Sequence, residues 1–179
     1  MLRGKVGNRL EIESKDVRPT HIKELKTFLV FINGKFLGKA YYFSGRGYYT
    51  PWLEIDYDPW LRNEGLEDEF FSFVYHFLPP GGKFFVTYLK DPETRKMLIQ
   101  GYNPADTPLG FSLIKAGFTW FKDWYFPEGG NEGIPKLQAN KAYNEEDEMR
   151  ELKELLVEVK REDVRKYIEE RIAKGEILT

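Results

Sequence analysis

Two carboxylates on one face of a strand are the main candidates in this sequence for moving a proton. Glu54 and Asp56 lie in a segment, 48–57, where alternate residues share a face, with Trp52 on the same side. A period of two places the two carboxylates about 7 Å apart. Carboxylates at this spacing can accept a proton from an attacking group. They can equally face solvent and pair with Lys or Arg side chains.

The other residue types that carry chemistry are sparse. His21 and His76 are far apart in sequence, and neither stands at a spacing to carboxylates that is typical of a zinc enzyme. The chain has no cysteine, which excludes thiolate zinc sites, iron–sulfur clusters and disulfides. We therefore predict a protein without a metal. The lack of cysteine also suits a reducing cytoplasm, which is the predicted location.

Composition limits the classes of partner. The chain has 27 basic and 29 acidic residues, a net charge of −2, so no excess of positive charge favours phosphate backbones and we predict no nucleic-acid binding. Its longest apolar runs fall far short of the roughly 20 residues that a membrane helix needs, so we predict no membrane association. Charged residues make up 31% of the chain, which is typical of a thermophile.

Hydrophobic patterning predicts a sheet in the first third of the chain. The polar segment 15–25 is predicted as loop or short helix, and 44–47 as a turn. Asn33-Gly34 is the strongest short hairpin signal. The predicted strands are 9–14, 28–32, 35–43 and 48–57.

From residue 64 onward the pattern alternates between helices and strands. Apolar residues recur at helical spacing over 64–78, and Pro-Pro-Gly-Gly at 79–82 ends that helix. Asp91-Pro92 and Thr107-Pro108 each combine an N-cap with proline at the first helical position, and Gly117 stands where a helix commonly ends. The predicted elements are helices 64–78, 91–100 and 108–116, strands 83–89, 118–126 and 136–142, and a loop at 127–135.

The C-terminal segment, 144–174, differs in composition because it is mostly Glu, Lys and Arg. Two narrow apolar stripes predict two helices with a break near Glu162-Asp163. The stripes can dock the helices on the domain or form a homodimer contact. The predicted division is an α/β domain over 1–143 and a charged helical extension of the same domain over 144–179, because 179 residues suit one ordinary domain. The stripes are Leu152, Leu155, Leu156 and Val159, then Val164, Ile168 and Ile172.

The element order and one loop resemble the GNAT acyltransferases. Their loop Arg/Gln-x-x-Gly-x-Gly/Ala lies between a strand and a helix, and here Arg62-Asn63-Glu64-Gly65-Leu66-Glu67 has that placement. Leu109–Phe118 also resembles the helix that ends in Gly-Phe before a late strand in that family. The resemblance covers roughly 9–142 and implies a mixed, mostly antiparallel sheet flanked by helices. A second possible membership is an uncharacterised archaeal family of unknown function, which would supply no activity.

This resemblance implies an N-acyltransferase that moves an acyl group from acetyl-CoA or another acyl-CoA to a small-molecule amine. Arg62, Asn63, Gly65 and Leu66 would hold the cofactor's pyrophosphate, since a helix N-terminus attracts anions and glycine permits a close approach. Glu54 or Asp56 would take the amine proton. Tyr102 would replace the family's tyrosine acid, whose position is Leu113 here, although Tyr102 can also be a simple packing aromatic.

Two alternatives remain open. Glu67, where the family has Gly or Ala, and Leu113 favour a catalytically inactive binding or dimerisation module of the same shape. The turn at Pro79–Gly82 before a strand resembles S-adenosylmethionine-dependent methyltransferases. Against that second alternative, the chain has no Gly-x-Gly-rich loop between a strand and a helix, and Asn33-Gly34 indicates antiparallel pairing.

Overall fold

The computed structural model describes residues 2–6, 10–19, 25–43, 51–126 and 134–178. It contains an eight-stranded sheet with the spatial order β1-β2-β3-β4-β5-β6-β8-β7. The strands are β1 (Leu2–Val6), β2 (Leu10–Pro19), β3 (Leu25–Ile32), β4 (Lys35–Phe43), β5 (Trp52–Asp56), β6 (Lys83–Thr87), β7 (Trp120–Phe126) and β8 (Ile134–Asn140). The helices are α1 (Trp60–Asn63), α2 (Glu67–Phe77), α3 (Pro92–Ile99), α4 (Pro108–Ala116), α5 (Glu145–Glu158) and α6 (Glu162–Leu178), with a 3-10 helix at Pro104–Asp106.

The sheet is mixed and mostly antiparallel, as the sequence predicted. Strands β5 and β6 pair in parallel from Trp52↔Lys83 to Asp56↔Thr87, and helix α2 is part of the connection between them. The other neighbouring strands pair antiparallel. A parallel pair needs a crossover connection, so the chain leaves the carboxyl end of β5 through α1 and α2 before it returns to the sheet.

Local signals placed several elements correctly. Asn33 and Gly34 have φ of 50° and 78°, as a type I′ hairpin turn requires, and β4 has the predicted bounds. Thr107 accepts a hydrogen bond from the Gly110 amide at the start of α4, and Gly117 ends that helix with φ of 131°. These signals depend on a few adjacent residues, so neighbouring elements do not override them.

Other predicted bounds were wrong. Strand β2 continues to Pro19, where the sequence predicted loop or short helix from residue 15, because β3 supplies ladder partners as far as Pro19↔Lys26. Of the strand predicted over 48–57, the described part, from residue 51 onward, forms a strand over 52–56, and β1 and α1 were not predicted. Residues 44–50 and 127–133, which cover the predicted turn and most of the predicted loop, lie outside the described residues. Strand β8 begins at Ile134, inside the loop predicted over 127–135.

The main core lies between one face of the sheet and helices α2 and α4. Leu53 and Ile55 of β5 point to this face with Phe84 of β6, and they pack with Phe71 of α2 and Leu113 of α4. The opposite face of β5 carries Trp52, Glu54 and Asp56, which are more exposed than Leu53 and Ile55. Burial of the apolar face fixes the register of β5, because a slip by one residue would move Glu54 and Asp56 to the core side.

The two C-terminal helices dock on the domain by their apolar stripes. A second core cluster joins Leu152, Leu155 and Val159 of the first stripe and Val164 and Ile168 of the second with the 3-10 helix and α4. The turn between α5 and α6 is held by Asp106, whose fully buried carboxylate accepts hydrogen bonds from the amides of Lys160 and Arg161 at 2.9 and 3.1 Å. Within the described residues, no helix combines the length and the apolar content that crossing a membrane requires.

Replacing Asp106 should loosen the attachment of α5 and α6. Asp106→Ala leaves two amides without an acceptor, so we expect the free energy of unfolding to fall by about 3 kcal/mol. Urea denaturation followed by circular dichroism measures this loss. The matched control is Asp68→Ala, because Asp68 is exposed and pairs with Lys115 at 3.4 Å; its cost should stay under about 1 kcal/mol. Equal costs for the two variants would contradict the role given to Asp106.

Candidate functional site

The candidate site lies beyond the carboxyl ends of the parallel strands. Strand β5 ends at Asp56, and Arg62–Leu66 lies between this strand and α2 as the sequence predicted. The predicted start of the helix at residue 64 was wrong, because Arg62 and Asn63 belong to α1 and α2 begins at Glu67. Lys35, at the start of β4, places its Nζ 4.1 Å from the centre of the Trp60 ring in α1. The hairpin between β3 and β4 therefore borders this end of the sheet.

The glycine of the loop ends helix α1. Gly65 has φ of 71°, its amide donates to the Arg62 carbonyl at 3.0 Å, and the Leu66 amide donates to the Leu61 carbonyl at 2.8 Å. This pair of bonds is the Schellman motif, in which a left-handed glycine terminates a helix. The Glu64 amide also donates a hydrogen bond, to the Trp60 carbonyl at 3.0 Å. The amides of Glu64, Gly65 and Leu66 are thus used within the chain.

Arg62 bridges two buried carboxylates. Its Nη1 and Nη2 atoms each lie 3.1 Å from an oxygen of Asp91, and its Nε lies 3.2 Å from Oε2 of Glu67. The side chains of Glu67 and Asp91 are only 6% and 3% exposed. Burial by itself lowers the pKa of Arg62, but the Asp91 hydrogen bond and the Glu67 charge outweigh it, so the pKa is raised. The guanidinium therefore stays charged.

Two hydroxyl groups also donate hydrogen bonds to the Glu67 carboxylate. Tyr57 and Ser112 each donate to its carboxylate at 2.5 Å. Burial raises the pKa of Tyr57, and the hydrogen bond and charge of Glu67 raise it further, so Tyr57 remains a donor. Glu67 is the first residue of α2, and a negative charge near a helix N-terminus is favourable. The Glu67 carboxylate thus occupies the helix N-terminus where a bound anion would otherwise lie.

Asp91 plays the equivalent part at α3. It precedes Pro92, accepts from the Thr94 hydroxyl at 2.7 Å, and its backbone carbonyl accepts the Arg95 amide. Thr94 in turn accepts the Leu109 amide of α4 at 3.3 Å. We call Tyr57, Arg62, Glu67, Asp91, Thr94 and Ser112 the Arg62 cluster. It joins the end of β5 with helices α1 to α4.

The predicted catalytic residues lie on two parts of the fold. Glu54 and Asp56 share a strand face as predicted, but Glu54 forms an ion pair with Lys136 of β8, and both side chains are 21% exposed. Burial lowers the pKa of Lys136. Tyr102 lies between α3 and the 3-10 helix, and the centre of its ring is 5.9 Å from Lys160 Nζ. No contact within the described residues joins it to Glu54 or Asp56, and the catalytic roles of all three remain predictions.

The predicted cofactor-binding residues lie together but differ in exposure. Arg62 belongs to the Arg62 cluster, Asn63 is exposed at the end of α1, and the Leu66 side chain is in the core. Their role in binding pyrophosphate remains a prediction. No group of three or more His, Asp or Glu side chains in the described ranges could hold a metal ion.

Sequence reasoning missed most of the Arg62 cluster. The acidic first turn of α2 and the N-cap position of Asp91 were visible signals. They indicated helix stabilisation and, for Glu67, a departure from the GNAT loop, but neither signal indicated a partner. Arg62 and Asp91 are 29 residues apart, and no local pattern pairs them. A second missed pair lies at the end of β6, where the buried Tyr88 hydroxyl donates to Asp123 of β7. Burial raises the pKa of both groups.

The fold and this site define a mixed α/β protein whose polar centre lies beyond a parallel strand pair. The chain belongs to the family DUF1122, a family of proteins of unknown function, whose profile matches residues 8–168. It is also similar to a solved structure, the crystal structure of a protein of unknown function, AQ1966, from Aquifex aeolicus VF5. The two chains are 34% identical over 92% of this chain and 90% of the other, with a TM-score of 0.68. A search of curated proteins found no match.

Removing Arg62 should leave Glu67 and Asp91 as uncompensated buried charges. We expect Arg62→Leu to lower the free energy of unfolding by about 3 kcal/mol, as measured by urea denaturation. Adding Glu67→Gln and Asp91→Asn to that variant should recover part of the loss, because the uncompensated charges are then gone. The control Arg150→Leu removes an exposed arginine that pairs with Asp147 and should cost under about 1 kcal/mol. If Arg62→Leu costs no more than this control, the bridging role is wrong.

Proposed function

We propose that the protein is a catalytically inactive binding module with a GNAT-like fold. The observation that carries this proposal is the closed state of the Arg62–Leu66 loop. The amides of Glu64, Gly65 and Leu66 donate to carbonyls of α1, and Arg62 is bound to Asp91 and Glu67. An incoming pyrophosphate would have to break these bonds and would meet the Glu67 carboxylate.

Topology supports the GNAT-like part of the proposal. The meander β3-β4-β5 leads through the Arg62–Leu66 loop into a helix and then into β6, which lies parallel to β5. Strands β7 and β8 then return antiparallel, with β8 next to β6. This order fits the resemblance drawn from the sequence, in which the loop joins a strand to the following helix.

Two further observations support the inactive part. Acyl transfer in the GNAT enzymes needs a gap between the two parallel strands for the thioester. Here β5 and β6 are paired as far as Asp56↔Thr87. The next residues, Tyr57 and Tyr88, are buried with only 1% and 4% of their surface exposed, in the main core. Leu113, at the position of the tyrosine acid of the GNAT enzymes, has an aliphatic side chain with no proton to give a leaving thiolate, and it is fully buried in the main core.

The second candidate is N-acyl transfer from acyl-CoA to an amine. It is favoured by the placement of Arg62 and Gly65 and by Asp56, which is exposed on the same strand face as Glu54. The amine nitrogen would attack the thioester carbonyl, its proton would pass to Glu54 or Asp56, and the thiolate of coenzyme A would leave. Arg62 would first have to exchange its carboxylate partners for phosphate. We do not propose methyl transfer, because the described sheet has one parallel pair and such enzymes use a parallel sheet.

Titration with coenzyme A and acetyl-CoA separates the two candidates. An inactive module should show no change in melting temperature with either compound at 1 mM. Binding with a dissociation constant near 10 μM would stabilise the fold by about 2.7 kcal/mol, a rise of about 5 to 10 °C for a chain of this length. Isothermal titration calorimetry at 25 °C gives an independent reading.

A saturable shift would contradict the inactive proposal. The variant Asn63→Glu then locates the site, because Asn63 is exposed and its replacement should not disturb folding. If Asn63→Glu weakens binding, coenzyme A uses the Arg62–Leu66 loop and the acyltransferase candidate gains support. If binding is unchanged, coenzyme A binds elsewhere: the inactive assignment then fails, and the loop is not the cofactor site.

A further inference from the structure

Helices α5 and α6 form a groove that no described part of the chain fills. The groove has a volume of about 1040 Å³ and runs between the outer side of α5 and the C-terminal half of α6. Its apolar lining comes from Met149 and Val157, with Leu152 beneath them, which belongs to the second core cluster and is only 1% exposed. Val157 is 84% exposed, so a branched apolar side chain faces solvent at the rim of the groove.

A glycine lets the two helices approach closely at the groove. Gly175 of α6 lines it, and a Cβ atom at that position would lie 2.2 Å from Cε of Met149. Any larger residue would force the Met149 side chain to shift. Glycine lowers the stability of a helix interior by about 1 kcal/mol relative to alanine, and here it allows the Met149 side chain to pack on the backbone of α6.

Acidic residues surround this apolar lining. Five glutamates and three basic residues line the groove. The basic side chains in the groove are already paired. Arg171 pairs with Glu148 and donates to the carbonyls of Ile114 and Gly117. Lys153 pairs with Glu176 at 3.4 Å, and Arg150 pairs with Asp147 at 2.8 Å. Glu145 and Glu146 also line the groove and are exposed. The groove therefore presents a negative rim around an apolar floor.

We propose that this groove binds a basic amphipathic helix of a partner protein. An amphipathic helix can place apolar side chains into such a groove while its Lys and Arg residues face an acidic rim. Helix α5 has 14 residues and is about 21 Å long, so the matching partner segment is a helix of about four turns. A second copy of α5 is disfavoured because its own acidic residues would be repelled.

This inference rests on the proposed binding role, but it can fail separately. Titration with coenzyme A tests the Arg62–Leu66 loop, whereas titration with a basic helix tests the α5–α6 groove. A protein that binds the helix and also binds coenzyme A would lose the inactive assignment and keep the groove. A protein that binds neither would keep the closed loop and lose the groove.

The probe is a fluorescein-labelled 18-residue peptide of Leu and Lys arranged as an amphipathic helix, titrated with the full chain by fluorescence anisotropy. We expect saturable binding that Val157→Asp weakens about tenfold, because a charge enters the apolar contact. The double variant Glu145→Lys, Glu146→Lys should weaken it about fivefold or more and reduce its salt dependence. The control Glu169→Lys changes an exposed residue of α6 that does not line the groove, and its binding should stay within about twofold.

Three results would overturn the proposal. The first is the absence of saturable binding. The second is equal binding of a peptide with the same composition in scrambled order, which would show that charge alone is recognised. The third is a dimer of the free protein in analytical ultracentrifugation that Val157→Asp dissociates, which would make a second copy the occupant. Circular dichroism spectra of each variant exclude misfolding as the cause of lost binding.

Discussion

The arrangement of the helices depends on one guanidinium group. Arg62 neutralises Glu67 at the start of α2 and Asp91 before α3, and hydroxyls from β5 and α4 satisfy the remaining oxygens of Glu67. Buried ion pairs contribute little net stability compared with apolar packing. However, each buried charge is strongly destabilising when its partner is missing. The cluster therefore disfavours arrangements in which α2 and α3 start elsewhere, and it fixes how these helices are placed at the end of the sheet where β5 and β6 stop.

The sequence predicted features whose causes are local. The Asn33-Gly34 turn and the Thr107-Pro108 helix start each depend on a few adjacent residues, and both are present. The apolar stripes of α5 and α6 were also recognisable, because burial of one helix face leaves a periodic pattern. The choice between docking on the domain and contacting a second copy was left open by the sequence, and the second core cluster shows docking on the domain.

Long-range pairing explains most of what sequence reasoning missed. Polar residues 15–19 form a strand only because β3 lies beside them, and Glu67 meets Ser112 across 45 residues. Tyr102 was considered for catalysis because its loop had no predicted position, and the fold places it beside Lys160. For Gly65 the spacing was recognised, but the same glycine serves either phosphate approach or helix termination. Only the hydrogen bonds of Leu66 and Gly65 distinguish these uses.

The most direct measurement is amide hydrogen exchange of Gly65 and Leu66, followed by NMR with and without saturating coenzyme A. If the loop is closed by its own carbonyls, both amides should exchange slowly in the free protein, and coenzyme A should leave their rates unchanged. Fast exchange in the free protein that slows when coenzyme A is added would show amides available to an anion. That result would contradict the closed loop on which the inactive assignment depends.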